Sequence, residues 1–171
     1  IYEVQDAFYE ISYDTWGFDK LTVPGVWQTA GYDSHQYVNI RYPFPFDPPY
    51  VPQDIPCGAY VHTFSYQKDE KAPKTFLNFE GVDSCFYVWL NGVYVGYSQV
   101  SHAVSEFDVT SLLQEGENKL AVLALKWCDG SYLEDQDKFR MSGIFRDVYL
   151  LKRPERYVRD YRITTEITKD S

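Results

Sequence analysis

Phe86-Tyr-Val-Trp-Leu90, Asn91-Gly92 and Val93-Tyr-Val-Gly-Tyr97 form the stretch that decides the fold. Asn-Gly between two apolar runs supplies the positive φ angles of a type I′ turn, so the segment predicts a β-hairpin. Strand signals recur on either side of it at short intervals. Tyr60–Tyr66 partly alternates, with Tyr60, His62, Phe64 and Tyr66 at even steps, and Thr75–Phe79 follows a charged turn. Leu120–Leu125 is a continuous apolar run between Gly116-Glu-Asn118 and Asp129-Gly130. Its length suits a strand buried on both faces. Ile144–Leu151 predicts a further strand, and Val109–Leu113 suits one helical turn with Asp108 as its N-cap. Many short strands without βαβ alternation predict an all-β, antiparallel jelly-roll β-sandwich.

The flanks read differently. Seven of the nine prolines fall between Pro24 and Pro56, among Trp27, Tyr32, Tyr37, Tyr42, Phe44, Phe46 and Tyr50. Proline removes ladder donors and biases its predecessor to extended backbone, so residues 1–58 should be irregular. A disordered linker would not be so aromatic. The expectation is an ordered coil pinned by its rings. Pro154 ends the sandwich pattern at about residue 153, and Tyr157–Thr168 alternates again through Val158, Tyr161, Ile163, Thr165 and Ile167. That reads as a linker and the first strand of a following domain over 154–171.

Composition narrows the function classes. The 171 residues carry a formal charge of −9, which argues against sequence-independent binding to nucleic acid or to an anionic membrane. Apolar runs stay below the roughly 18 residues of a membrane span. An aromatic content of 18% favours strands over helices. The chain opens Ile1-Tyr-Glu-Val4 with neither Met nor a signal-peptide pattern, which reads as a trimmed start. Cys57, Cys85 and Cys128, an odd count at spacings of 28 and 43, fit neither a disulfide framework nor a CxxC zinc site. They suit a reducing compartment, and the expected location is the cytoplasm.

Candidate chemistry is sparse. Gly-x-Ser-x-Gly and phosphate-cradling glycine loops are absent. His62 lies within a strand pattern and is expected to be packed or hydrogen-bonded, while His35 and His102 lie in polar loops. No two are close enough in sequence to suggest a metal pair. Cys128 could be a reactive thiol or a small hydrophobe. From Asp129 to Asp137, four carboxylates in nine residues suit either a hard cation or a solvated loop. Rings beside carboxylates and amides also suit a sugar-binding surface, where rings stack on C–H faces and Asp or Asn fix hydroxyls.

Asp129-Gly-Ser-Tyr-Leu-Glu-Asp-Gln-Asp-Lys-Phe-Arg-Met-Ser-Gly-Ile-Phe-Arg-Asp-Val148 closely resembles the N-terminal domain of the glycoside hydrolase family 2 β-galactosidases. Val23-Pro-Gly-Val-Trp-Gln-Thr-Ala-Gly-Tyr32, Tyr37-Val-Asn-Ile40, Tyr42-Pro43, Phe86–Gly96 and Ser105-Glu-Phe-Asp108 are similar to the same family. Ser-Gly-Ile-Phe-Arg is shared with related β-glucuronidases and mannosidases; the longer acidic run is specific to β-galactosidases.

The resemblance implies a galactose-binding-like jelly roll over residues 1–153, with an immunoglobulin-like domain beginning in 154–171. It implies a retaining β-galactosidase acting on terminal β-D-galactosides such as lactose, its two glutamates and magnesium ligands lying in a TIM barrel outside this chain. No catalytic residue is then expected here. Asn39 matches a residue that contacts the galactosyl unit; Asp129 matches one that binds galactose hydroxyls and ligates sodium. The implied partners are the galactoside, the downstream domains and further copies in a homo-oligomer. Two other readings stand beside it: a free-standing carbohydrate-binding module, and a structural or oligomer-assembly domain of another family 2 glycosidase. A module should end with its own last strand, which the pattern after Tyr157 does not suit.

Overall fold

The computed structural model describes residues 7–39, 41–134 and 137–167. Its elements run β1 (Gln36–Tyr37), β2 (Cys57–Tyr66), β3 (Lys74–Phe79), β4 (Val82–Asp83), β5 (Cys85–Leu90), β6 (Val93–Ser98), β7 (Ser105–Asp108) and β8 (Gly116–Leu125). A 3₁₀ turn (Asp129–Leu133), β9 (Phe139–Arg140), β10 (Gly143–Ile144) and β11 (Val148–Arg153) follow. A four-stranded antiparallel sheet, β2-β8-β5-β6, faces a three-stranded one, β11-β3-β7. The chain passes repeatedly between them, so neighbours in sequence often lie in opposite layers. The all-β antiparallel sandwich is as expected.

The hairpin forms as its sequence dictates. Asn91 and Gly92 hold φ values of +52° and +81°, and β5 pairs with β6 through a bulge between Val88 and Trp89. Asn91 also works inward: its Nδ2 donates to Leu112 O and Asn118 Oδ1, and its Oδ1 accepts Lys119 N–H at 2.9 Å. Burial on both faces makes β8 a central strand, paired with β2 and β5. Inward residues alternate as the pleat requires: Leu77 and Phe79 from β3, Phe86, Val88 and Leu90 from β5, Leu120, Val122 and Ala124 from β8. Each such large side chain contributes roughly 1.5–3 kcal/mol.

Three expectations need correction. Ile144–Leu151 is not one strand, because Phe145–Asp147 leave the ladder between β10 and β11. There the Phe145 and Arg146 amides both turn onto Gly81 O, at 3.2 and 3.4 Å. No strand forms over 157–167: Val158, Tyr161, Ile163 and Ile167 are exposed, and a strand needs a ladder partner. Thr168 lies outside the described residues. His62 is exposed rather than packed, its ring stacked on that of Phe64 at 6.1 Å. The single turn after Asp108 does form, with Leu112 and Leu113 amides on Val109 O and Asp108 Oδ1 accepting Thr110 N–H.

The N-terminal coil is ordered by the rings its sequence supplies. Phe44 packs edge-on against Trp127 and Tyr132 at 5.1 and 5.3 Å, and Tyr42 and Phe46 also meet Tyr132. Further along, β1 pairs with β9, so Gln36 faces Arg140 and Tyr37 faces Phe139.

Candidate functional site

Asp129 opens the 3₁₀ turn, three buried residues (Lys126, Trp127 and Cys128) after the end of β8. Its neighbours Cys128, Ser131 and Tyr132 are buried, whereas Asp129 itself is exposed, Oδ1 accepting the Gly130 amide at 2.9 Å. Asn39 is likewise exposed, two residues beyond β1. The structure joins the two segments through shared anchors. Tyr42 Oη donates to Tyr132 O at 2.9 Å, Tyr132 Oη donates to Tyr50 O at 2.5 Å and accepts Asp47 N–H at 3.2 Å. On the far side of the loop Tyr37 Oη donates to Asp137 Oδ1. Ile40, Asp135 and Gln136 lie outside the described residues.

Sequence reasoning missed the residues that hold this edge. Tyr132 is the hub, and a tyrosine between small and acidic residues gave no sign of it. Lys126 is a second: its side chain is only 4% exposed, its ammonium bonds Asp33 and lies 5.2 Å from the Trp127 ring. Burial alone would raise the Asp33 carboxyl, but hydrogen bonds from Lys126, Ser34 N–H and Gln28 hold it below the usual range. Gln28 Nε2 reaches Asp33 at 3.0 Å, and Gln28 Oε1 accepts Ser142 N–H at 3.1 Å. A lysine at the end of an apolar strand was the readable signal, since a buried charge demands a partner.

A third group lies beneath the Asp129 turn. Ser101 Oγ sits 3.4 Å from Asp83 Oδ1, and Ser101 N–H donates to Glu134 Oε1 at 3.2 Å. Burial, and then Glu134 beside it, pushes the Asp83 carboxyl up to about 6; Lys138, Arg140 and the Ser101 hydroxyl pull the other way. His102, near Lys138 Nζ at 3.3 Å, is lowered by burial and by that ammonium. His35 packs edge-on against Phe139.

All three cysteines are free, with Cys85 and Cys128 buried and Cys57 exposed. A hydrogen bond between the two buried thiols holds Cys128 down and Cys85 up. Among the described residues no three His, Cys, Asp or Glu side chains cluster to hold a metal, and no helix is long and apolar enough to cross a membrane. One exposed carboxylate is a hard oxygen donor that fits sodium, as part of a ligand set rather than a whole one.

An exposed carboxylate on a turn with buried neighbours, beside an aromatic coil, is a kind of surface that suits a sugar. Residues 2–154 match the family described as glycosyl hydrolases family 2, sugar binding domain, and the chain belongs to that family. It is 55% identical over 166 residues to a β-galactosidase of Actinobacillus pleuropneumoniae, covering 97% of this chain and 16% of that protein. With a β-galactosidase of Staphylococcus xylosus it shares 55% identity over 150 residues, 88% of this chain and 15% of the relative. The chain thus spans about a sixth of the length of these curated relatives. The crystal structure of Bacteroides uniformis β-glucuronidase superposes with a TM-score of 0.69 at 19% identity, over 90% of this chain and 16% of that one. That likeness shows the shared sandwich fold.

Proposed function

We propose that this chain is the sugar-binding domain of a retaining, cytoplasmic β-galactosidase, lending one edge to an active site completed elsewhere in a longer protein. The observation that carries the reading is the setting of Asp129: an exposed carboxylate on a turn whose other side chains are mostly buried. The buried Ser131 and Tyr132 hold the turn, and the carboxylate is left open to a ligand. An ionised carboxylate accepts hydrogen bonds and donates none, so it suits sugar hydroxyls that donate. Asn39, on the coil fastened to the same turn, offers both a carbonyl acceptor and an NH₂ donor to the galactosyl unit.

Asp129 is also the residue that would hold sodium, which supplies a positive centre for sugar oxygens. The chemistry belongs to two glutamates and magnesium ligands in a TIM barrel outside this chain. Retaining hydrolysis needs a nucleophile and an acid/base carboxyl flanking one bond. Residues 154–171 lead into an immunoglobulin-like domain, and the enzyme assembles as a homo-oligomer. Lactose is the expected natural substrate.

The test compares the 171-residue chain with the full-length protein on o-nitrophenyl β-galactoside. The full-length protein should turn the substrate over and the isolated chain should not. Turnover by purified isolated chain, or an inactive full-length protein, removes the assignment.

A further inference from the structure

Glu134 closes the turn that Asp129 opens, and its carboxylate is met by two donors from separate parts of the sandwich. Ser101 N–H, from the loop between β6 and β7, donates to Oε1 at 3.2 Å. Ser84 Oγ, between β4 and β5, donates to Oε2 at 3.3 Å. The contacts continue: Ser84 Oγ lies 2.9 Å from Ser131 Oγ, and Ser131 Oγ accepts Cys128 N–H at 3.1 Å. Ser84, Ser101 and Ser131 are each at most 2% exposed.

A hydroxyl has one proton to give. With Ser84 donating to the carboxylate, Ser131 must donate to Ser84, which leaves a Ser131 lone pair for the Cys128 amide. Glu134, an acceptor only, therefore sets the direction of the whole chain. The Cys128 amide at its far end belongs to the Trp127–Cys128 peptide, one residue before Asp129.

We propose that Glu134 is a positioning residue which, through Ser84 and Ser131, fixes the backbone that presents Asp129; this rests on reading Asp129 as a sugar contact. Glu134→Gln keeps the shape but turns one oxygen into NH₂. One of the two converging donors then faces another donor, and the chain loses its fixed direction. Leaving a buried donor unpaired in this way carries the full desolvation penalty of that group.

The experiment is a double-mutant cycle on the full-length enzyme, with kcat and KM for o-nitrophenyl β-galactoside measured separately. Glu134→Gln should lower kcat/KM about tenfold, mainly through KM, and the Asp129→Asn, Glu134→Gln double variant should be no worse than Asp129→Asn alone. Ser131→Ala, which cuts the chain in the middle, should show the same lack of additivity and decides the matter if Glu134→Gln does not fold. Losses that multiply, or a Glu134→Gln enzyme with wild-type kcat/KM, overturn the positioning role while leaving Asp129 in the site. Wild-type kinetics for Asp129→Asn overturn both together.

Discussion

Trp27 Nε1 donates to Tyr60 Oη at 2.5 Å, across 33 residues of sequence. The bond ties the proline-rich coil to the middle of β2, and Gly143 on β10 packs against both rings. Trp27 is 6% exposed, so water cannot replace the phenol. Tyr60→Phe should therefore leave the indole N–H unpaired and cost about 1–3 kcal/mol. Urea unfolding followed by tryptophan fluorescence measures it; an unchanged midpoint would show that the indole N–H finds another partner.

Gly143→Ala should be more damaging. Its φ is +105°, and an added Cβ would lie 2.6 Å from Tyr60 Oη and 2.8 Å from Trp27 Nε1. Positive φ and overpacking act together, so the expected loss is about 3 kcal/mol or more. Soluble yield and thermal melting check it. A variant that melts with the wild type would mean that the two rings can move apart freely.

Asp83 makes stability depend on pH. The folded carboxyl keeps its proton up to about 6, against an ordinary 3.8 in the unfolded chain. Between those values the folded state binds more protons, so Asp83's contribution falls as pH rises through this window and stays reduced above it. Asp83→Asn removes the buried charge at nearly constant shape. It should stabilise by about 1–3 kcal/mol at pH 7.5 and by nothing at pH 4. Melting curves at both pH values test this, and a lower melting temperature at pH 7.5 would show that Lys138 and Arg140 make the charge net favourable.

Asp129→Asn should act on kinetics rather than on folding. The substitution keeps the shape, loses the charge, and presents NH₂ where an acceptor is needed. A hydrogen bond to a charged group is worth ~1.5–3 kcal/mol, so kcat/KM of the full-length enzyme should fall roughly tenfold to a hundredfold. Its sodium response should weaken too. Wild-type kinetics across a sodium titration would make Asp129 an ordinary turn residue.

Local chemistry made some of this legible and hid the rest. Asn91-Gly92 specifies its own turn, and the Leu120–Leu125 run is long enough only for a strand covered on both sides, so β5, β6 and β8 could be read directly. Ser105–Asp108 could not: β7 is four residues, three of them polar, and is made a strand by pairing with β3. Phe145 disguised the break between β10 and β11, because an apolar side chain continues the hydrophobic pattern even where the backbone leaves the ladder. At the site, Asn39 and Asp129 came from resemblance alone. The Glu134 network was invisible, since Ser84 and Ser131 are ordinary serines until the fold brings them together across 47 residues.

Tyr132 reaches Tyr50 across 82 residues of chain, and Tyr42 reaches it across 90. Loop-closure entropy delays such remote pairings, whereas a two-residue hairpin closes early. During synthesis the coil over 24–58 emerges long before the segment it must clasp. Until residues 127–140 leave the ribosome, its rings lack Trp127, Tyr132 and Phe139 to close upon. The rim around the Asp129 turn is thus set late, with only β10 and β11 still to follow, and the nascent chain carries an unsheltered aromatic coil throughout the translation of β2 to β8.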